Sequence, residues 1–137
     1  MTAVLDASAV LAYLRNEPGA APVEAALARG AIMSAVNWAE VLARLATAGI
    51  GPDDPPVRLL VESGGTSAAL AGPLSVKPFD EPAARETARI KRATAGAPLS
   101  LGDRACLALA REAALPVLTT DRAWRSLKLK VKVVLVR

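Results

Sequence analysis

At 137 residues the chain has the length of one domain and can bury a core without disulfides or structural metal. It is 53% hydrophobic but 3% aromatic, with one cysteine and no histidine, which excludes an internal disulfide, a cysteine-rich zinc site, and Ser-His-Asp or Cys-His catalysis. The formal charge of +4 is compatible with a polyanionic partner without requiring one.

What remains for chemistry is carboxylate, hydroxyl, lysine and arginine, and carboxylates favour hard cations such as Mg²⁺ or Mn²⁺. With so few aromatics the core is expected to consist of Ala, Leu and Val, with helices packed closely on a sheet and Trp38 and Trp124 as anchors. The amino terminus lacks a basic segment leading into a long apolar core, and no apolar run is long enough to span a bilayer. A soluble, cytoplasmic protein is the expectation.

Ala3, Val4 and Leu5 form an apolar run that stops on Asp6 and continues as Ala7, Ser8, Ala9. Such a run suits a central strand of a parallel sheet, with Asp6 at its carboxyl end. A helix over Ser8–Leu14, a turn over Asn16–Gly19 and a helix over Ala21–Arg29 follow, ended by Gly30. Ala31–Ser34 reads as a second strand, and Asn37-Trp38-Ala39-Glu40 opens a helix to about Ala48, closed by Gly49 and Gly51. Pro52, Pro55 and Pro56 mark a loop before a short helix over Val57–Glu62, broken by Gly64 and Gly65, with a further turn at Leu70. Leu74–Phe79 reads as a third strand, placed at an edge by Pro78. Asp80-Glu81-Pro82 starts a helix to about Ala95, ended by Gly96 and Pro98, with Asp80 read as its cap. Ser100-Leu101-Gly102-Asp103 starts another, reaching Ala113 and carrying Cys106 as a small buried hydrophobe. Pro116–Thr119 reads as a fourth strand, stopping at Asp121. A short helix through Trp124 leads to a last strand over Val131–Val136. The alternation of strand and helix predicts a parallel α/β sheet with right-handed crossovers.

Asp6 and Asp121 each follow an apolar strand, whereas Glu40 and Asp103 are expected in the first turns of helices. If the sheet reverses its direction of growth between the first and fourth strands, Asp6 and Asp121 become neighbours at the switch point, with Glu40 and Asp103 arriving from above. A plainer reading stands beside this one. Asp6 can cap the helix after it, and Asn37–Glu40 and Ser100–Asp103 both have the spacing of a capping box. Placed together, the four carboxylates raise one another's pKa unless a cation compensates, and one or two Mg²⁺ ions would supply the means of phosphodiester hydrolysis. Ser8 and Thr119 are placed to hydrogen-bond the acids.

These residues resemble the PIN-domain ribonucleases, and within them the VapC toxins of toxin/antitoxin pairs. The likeness is carried by Leu5-Asp6-Ala7-Ser8-Ala9, Val36-Asn37-Trp38-Ala39-Glu40-Val41, Leu99-Ser100-Leu101-Gly102-Asp103-Arg104 and Leu118-Thr119-Thr120-Asp121-Arg122-Ala123-Trp124, in that order. The resemblance implies a three-layer α/β/α sandwich with a small, mostly parallel sheet and a Mg²⁺- or Mn²⁺-dependent endoribonuclease. It implies Asp6, Glu40, Asp103 and Asp121 as metal ligands, with Ser8, Asn37 and Thr119 in support. It further implies a homodimer and a cognate antitoxin; residues 52–73 follow the family pattern poorly.

On the substrate side, Arg104 and Arg122 lie beside two acidic junctions and are candidates for RNA phosphates, as is Arg125. Arg85, Arg89, Lys91 and Arg92 read as a solvated helical face. A phosphatase of the haloacid dehalogenase type needs a second acid where this chain has Ser8. A phospho-receiver needs an acceptor Asp after its third strand and a Lys after its last, where this chain offers Asp80, read as a cap, and Arg137. A catalytically silent PIN-like module that binds RNA or a partner is the remaining alternative.

Overall fold

The computed structural model describes residues 2–62 and 72–137. Strands β1 (Ala3–Leu5), β2 (Ala31–Ser34), β3 (Leu74–Lys77), β4 (Val117–Thr119) and β5 (Val133–Leu135) form a sheet in the order β3-β2-β1-β4-β5, all of its described pairings parallel. The helices are α1 (Ala7–Leu14), α2 (Ala20–Ala28), α3 (Ala35–Thr47), α4 (Pro55–Val61), α5 (Glu81–Ala93) and α6 (Leu101–Ala113), with a short 3-10 helix at Arg122–Ser126.

The strands read as unbroken apolar runs because both faces of the sheet are covered. Ala3 and Leu5 of β1, Ala31 and Met33 of β2 and Leu118 of β4 enter one core with Val10, Val23, Val41 and Leu60 from α1, α2, α3 and α4. Their alternates Val4, Ile32 and Val117 enter a second core with Ile90 of α5, Cys106 and Leu107 of α6, and Trp124. Successive side chains thus serve opposite layers, which produces the α/β/α sandwich.

Strand β1 lies between β2 and β4, so growth of the sheet reverses there and the end of β4 comes beside Asp6, as expected from the sequence. The third strand lies at an edge, but it stops at Lys77 and leaves Pro78 outside it. The loop predicted at Pro55 and Pro56 is instead the first turn of α4, where missing amide hydrogens cost nothing. The last strand is shorter than predicted, Val133–Leu135. Gly64, Gly65 and the turn expected at Leu70 lie outside the described residues.

The predicted cap at Asn37 is displaced. Helix α3 starts at Ala35, capped by Ser34, whose hydroxyl accepts the Val36 amide at 3.2 Å. Asn37 is released for another role, and Glu40 falls in the second turn, not the first.

The two tryptophans differ. Trp124 is 1% exposed inside the second core, whereas Trp38 is only partly buried against the first. Trp124→Ala is therefore expected to lower unfolding free energy by about 3–5 kcal/mol and Trp38→Ala by roughly 1 kcal/mol, measured by urea denaturation. Equal losses would contradict this division of the cores.

Candidate active site

The end of β1 delivers Asp6 into the interior, where it is 7% exposed. Its backbone is extended and its Oδ1 accepts the Ala9 amide at 2.8 Å, so it does cap α1, in keeping with the plainer reading. Two further donors converge on the same carboxylate. Ser8 Oγ donates to Oδ1 at 2.7 Å and Thr119 Oγ1, from the end of β4, donates to Oδ2. Thr119 Oγ1 also accepts the Asp121 amide at 3.0 Å, and Ser8 Oγ accepts the Thr120 amide at 3.0 Å. The two hydroxyls therefore fasten the segment after β4 onto Asp6.

Burial nevertheless pushes the Asp6 carboxyl up from 3.8 to about 6. The hydrogen bonds from Thr119, Ser8 and Ala9 oppose that shift, and the charge of Asp103 adds to it. A probe of the same field sits on α6. The buried Cys106 thiol is raised by desolvation first, then by Asp6, Asp103 and Glu40. Three of the four predicted acids thus act on one small volume.

Glu40 is held there by α6 as well as by its own helix. Asn37 Nδ2 donates to Glu40 Oε1 at 3.0 Å and to the Gly102 carbonyl at 2.9 Å, joining α3 to α6. A methyl group at Gly102 would lie 2.2 Å from Glu40 Oε1, so an alanine there requires the carboxylate to leave its present place. Gly102 is the residue the sequence reading missed as part of the site. Its signal is a glycine in the first turn of an otherwise strong helix, where it costs about 1 kcal/mol relative to alanine and invites a packing reason.

Asp103 forms the predicted capping box with Ser100, its Oδ2 accepting the Ser100 amide at 3.0 Å. Asp121 is exposed at the rim, and its Oδ1 accepts the Ala123 amide at 3.0 Å. In this arrangement no three Asp, Glu or Cys side chains among the described residues are close enough to hold one ion. Nor does any of the four acids form an ion pair among those residues.

The donor set suits a hard cation. The four acids offer only anionic oxygens, and the buried amide oxygen Asn37 Oδ1 has no hydrogen-bond partner among the described residues. Asp103 Oδ1, Asp121 Oδ2 and Glu40 Oε2 also have no protein donor among the described residues. Asp80 caps α5 by accepting the Ala83 amide at 3.0 Å and is not among the acids that act on Asp6 or Cys106. Arg104 is half-buried on α6 next to Asp103, and Arg122 is exposed next to Asp121.

Comparison with known proteins gives a family model described as PIN domain that matches residues 3–130. No curated protein sequence matches. Among solved structures the chain is similar to one from the VapBC2 complex of Rickettsia felis bound to a promoter DNA fragment, with a TM-score of 0.72, 11% identity and 98% of each chain covered. It is similar to one in the DNA-bound VapBC complex of Salmonella typhimurium, with a TM-score of 0.67, 14% identity and coverage of 100% of this chain and 99% of that one. FitAcB of Neisseria gonorrhoeae gives a TM-score of 0.66 and 24% identity over 98% of each chain.

The raised Asp6 pKa has a defined sign in stability. Below pH 3.8 the carboxyl is protonated in both states and contributes nothing. From 3.8 to about 6 the native state retains a proton that the unfolded chain has released, so stability falls as pH rises. Two units correspond to a penalty of about 3 kcal/mol at neutral pH. In chelator, Asp6→Asn is expected to match the wild type near pH 4 and to exceed its unfolding free energy by about 3 kcal/mol at pH 7. Parallel stability curves for the two proteins would sink this account.

Proposed function

The chain belongs to the PIN-domain family, and from that premise we propose that it is a metal-dependent endoribonuclease, the toxin of a toxin/antitoxin pair. The observation that carries this reading is a buried Asp6 with Asp103 in its field, Glu40 acting with both on the Cys106 thiol, and no ion pair to any of them among the described residues.

Asp6, Glu40, Asp103 and Asp121 would hold Mg²⁺ or Mn²⁺. The bound ion would supply a nucleophilic water at neutral pH, polarise a phosphoryl oxygen and neutralise charge on the leaving oxygen of an RNA phosphodiester. Ser8 and Thr119 fix the direction of Asp6, each spending a hydroxyl proton on it. Asn37 and Gly102 fix Glu40, the first by donating a hydrogen bond and the second by leaving room. Asp103 and Asp121 would each offer the oxygens of a carboxylate that now accepts a cap amide. Arg104 and Arg122 flank the acids and face substrate phosphates.

The VapBC complexes among the similar structures support a cognate antitoxin for this chain, and a homodimeric toxin is part of the same proposal. Exposed Ile50 and Leu59, bordering clefts shared with Leu14, offer a partner apolar ground. Among the described residues no helix is long and apolar enough to cross a membrane, which accords with a single PIN-like domain working in the cytoplasm.

One observation favours a second reading, a catalytically silent module that binds RNA or a partner. Asp103 and Asp121 each have an oxygen turned back on a backbone amide.

Incubation of RNA with the purified protein separates the two. Cleavage is expected with Mg²⁺ or Mn²⁺ and none in excess chelator, while Asp6→Asn and Asp121→Asn remain folded and inactive. Undiminished cleavage by either variant, or in chelator, rejects the enzymatic reading.

Gly102→Ala tests the seat of Glu40 separately. Its methyl group is expected to lower Mn²⁺ affinity and cleavage by about 10–100-fold with the fold retained. Titration of Mn²⁺ by calorimetry that returns the wild-type affinity would remove Gly102 from the site.

A further inference from the structure

Beside the acids, the end of α5, the 94–99 loop and the start of α6 enclose a cavity of about 330 Å³. Lys91 and Arg104 supply its charge, and no acid lines it. Thr94 adds no donor, because its hydroxyl proton is given to the Ile90 carbonyl at 2.7 Å. Leu99 and Pro98 make part of the wall apolar.

Neither cation is neutralised by a neighbour among the described residues, and Arg92 next to Lys91 is not either. Arg85 is paired with Glu81, and Arg89 and Arg111 with Glu86, whereas neither Lys91 nor Arg104 forms an ion pair among the described residues. The Lys91 charge by itself suits the last turn of α5, where the helix dipole is negative. Arg104 has no such explanation. It stands near the amino end of α6, the wrong end for a cation, and its Nε is buried without a hydrogen-bond partner among the described residues. A guanidinium in that position is under-satisfied, and a buried donor left without an acceptor is destabilising. The acid next to it, Asp103, does not answer it, because that carboxylate is turned onto the Ser100 amide.

We infer that the cavity lined by Lys91 and Arg104 is an anion site, and that its ligand is a backbone phosphate of RNA on the strand leaving the acidic cluster. Arg104 follows Asp103 directly, about 100° further round α6, so a strand laid over the acids meets the cavity as it departs. The guanidinium grips phosphate oxygens through its planar donors, the ammonium adds a point charge, and the Leu99 wall accommodates a sugar. Single-stranded substrate fits, since these groups reach a phosphate and no base edge. The inference rests on the nuclease reading and extends it to a phosphate that is not cleaved.

The test uses the full chain and a single-stranded RNA oligonucleotide in chelator, where binding is read without cleavage. Arg104→Gln and Lys91→Gln are each expected to weaken binding about 5–10-fold and to flatten the plot of log affinity against log salt by about 0.7 for each phosphate no longer neutralised. Arg29→Gln is the control, because Arg29 is exposed at the amino end of β2, at the far end of the sheet. Lys91 is exposed on a helix, so its variant keeps the test open if Arg104→Gln unfolds. In the metal-loaded enzyme, the expected signature is a raised KM with kcat little changed.

A wild type that neither binds nor cleaves RNA overturns the nuclease reading itself. A wild type that binds, with Lys91 and Arg104 variants indistinguishable from Arg29→Gln, overturns the phosphate site alone. If inorganic phosphate perturbs the Arg104 Nε resonance but the RNA salt slopes coincide, the cavity takes a free anion and the RNA assignment falls.

Discussion

A carboxylate taken out of water at the end of the central strand is the constraint on which the rest of this structure turns. Asp6 is 7% exposed, and three hydrogen bonds do not offset the cost of its burial, since its carboxyl still rises to about 6. A sheet with β1 at an edge would leave that group in solvent. Placing β1 between β2 and β4 buries the residue and brings to it Thr119, whose hydroxyl oxygen in turn holds the Asp121 amide. The switch point is therefore an electrostatic device as well as a topological one.

The sequence disclosed this arrangement in proportion to how local its causes are. Apolar runs that end on Asp6 and after Thr119 mark strands covered on both sides, and the alternation of strand and helix gives the parallel sheet. The capping box at Ser100 and the cap at Asp80 were legible because each depends on residues three apart. Asn37 misled for the same reason: its spacing to Glu40 imitates a capping box, but Ser34 is already extended at the end of β2 and takes the amide first. Local spacing cannot rank two candidate caps when the preceding strand decides which is extended. The two prolines of α4 show the same limit, since a loop and a first turn tolerate proline equally.

The place of Glu40 was beyond any local reading. It depends on α3 and α6 approaching closely enough for one amide nitrogen, Asn37 Nδ2, to bridge Glu40 and the Gly102 carbonyl across 65 positions of sequence. Gly102 leaves the space on α6 that the Glu40 carboxylate fills. The same glycine weakens the start of its helix, while the Ser100–Asp103 capping box strengthens it. Stability given up at one residue is thus recovered by its neighbours, one of which is itself a candidate site acid.

The distribution of charge over the molecule follows the same logic. A chain with 17 basic residues and 13 acidic ones has ample cations to neutralise four carboxylates, yet its described ion pairs fall on Glu17, Glu62, Glu81 and Glu86 at the surface. Exposed pairs of that kind contribute little to folding, with typical values of about 0–1 kcal/mol. A pair formed at Asp6, in low dielectric, would attract more strongly but would also desolvate a second charge, a cost that can cancel the gain. The sequence has kept Arg104 at its own cavity and Arg122 in solvent. An internal cation would occupy the very oxygens a divalent ion needs. Leaving them unpaired is a cost to the free protein that makes sense when an outside cation, and an anionic strand lying across it, complete the charge balance.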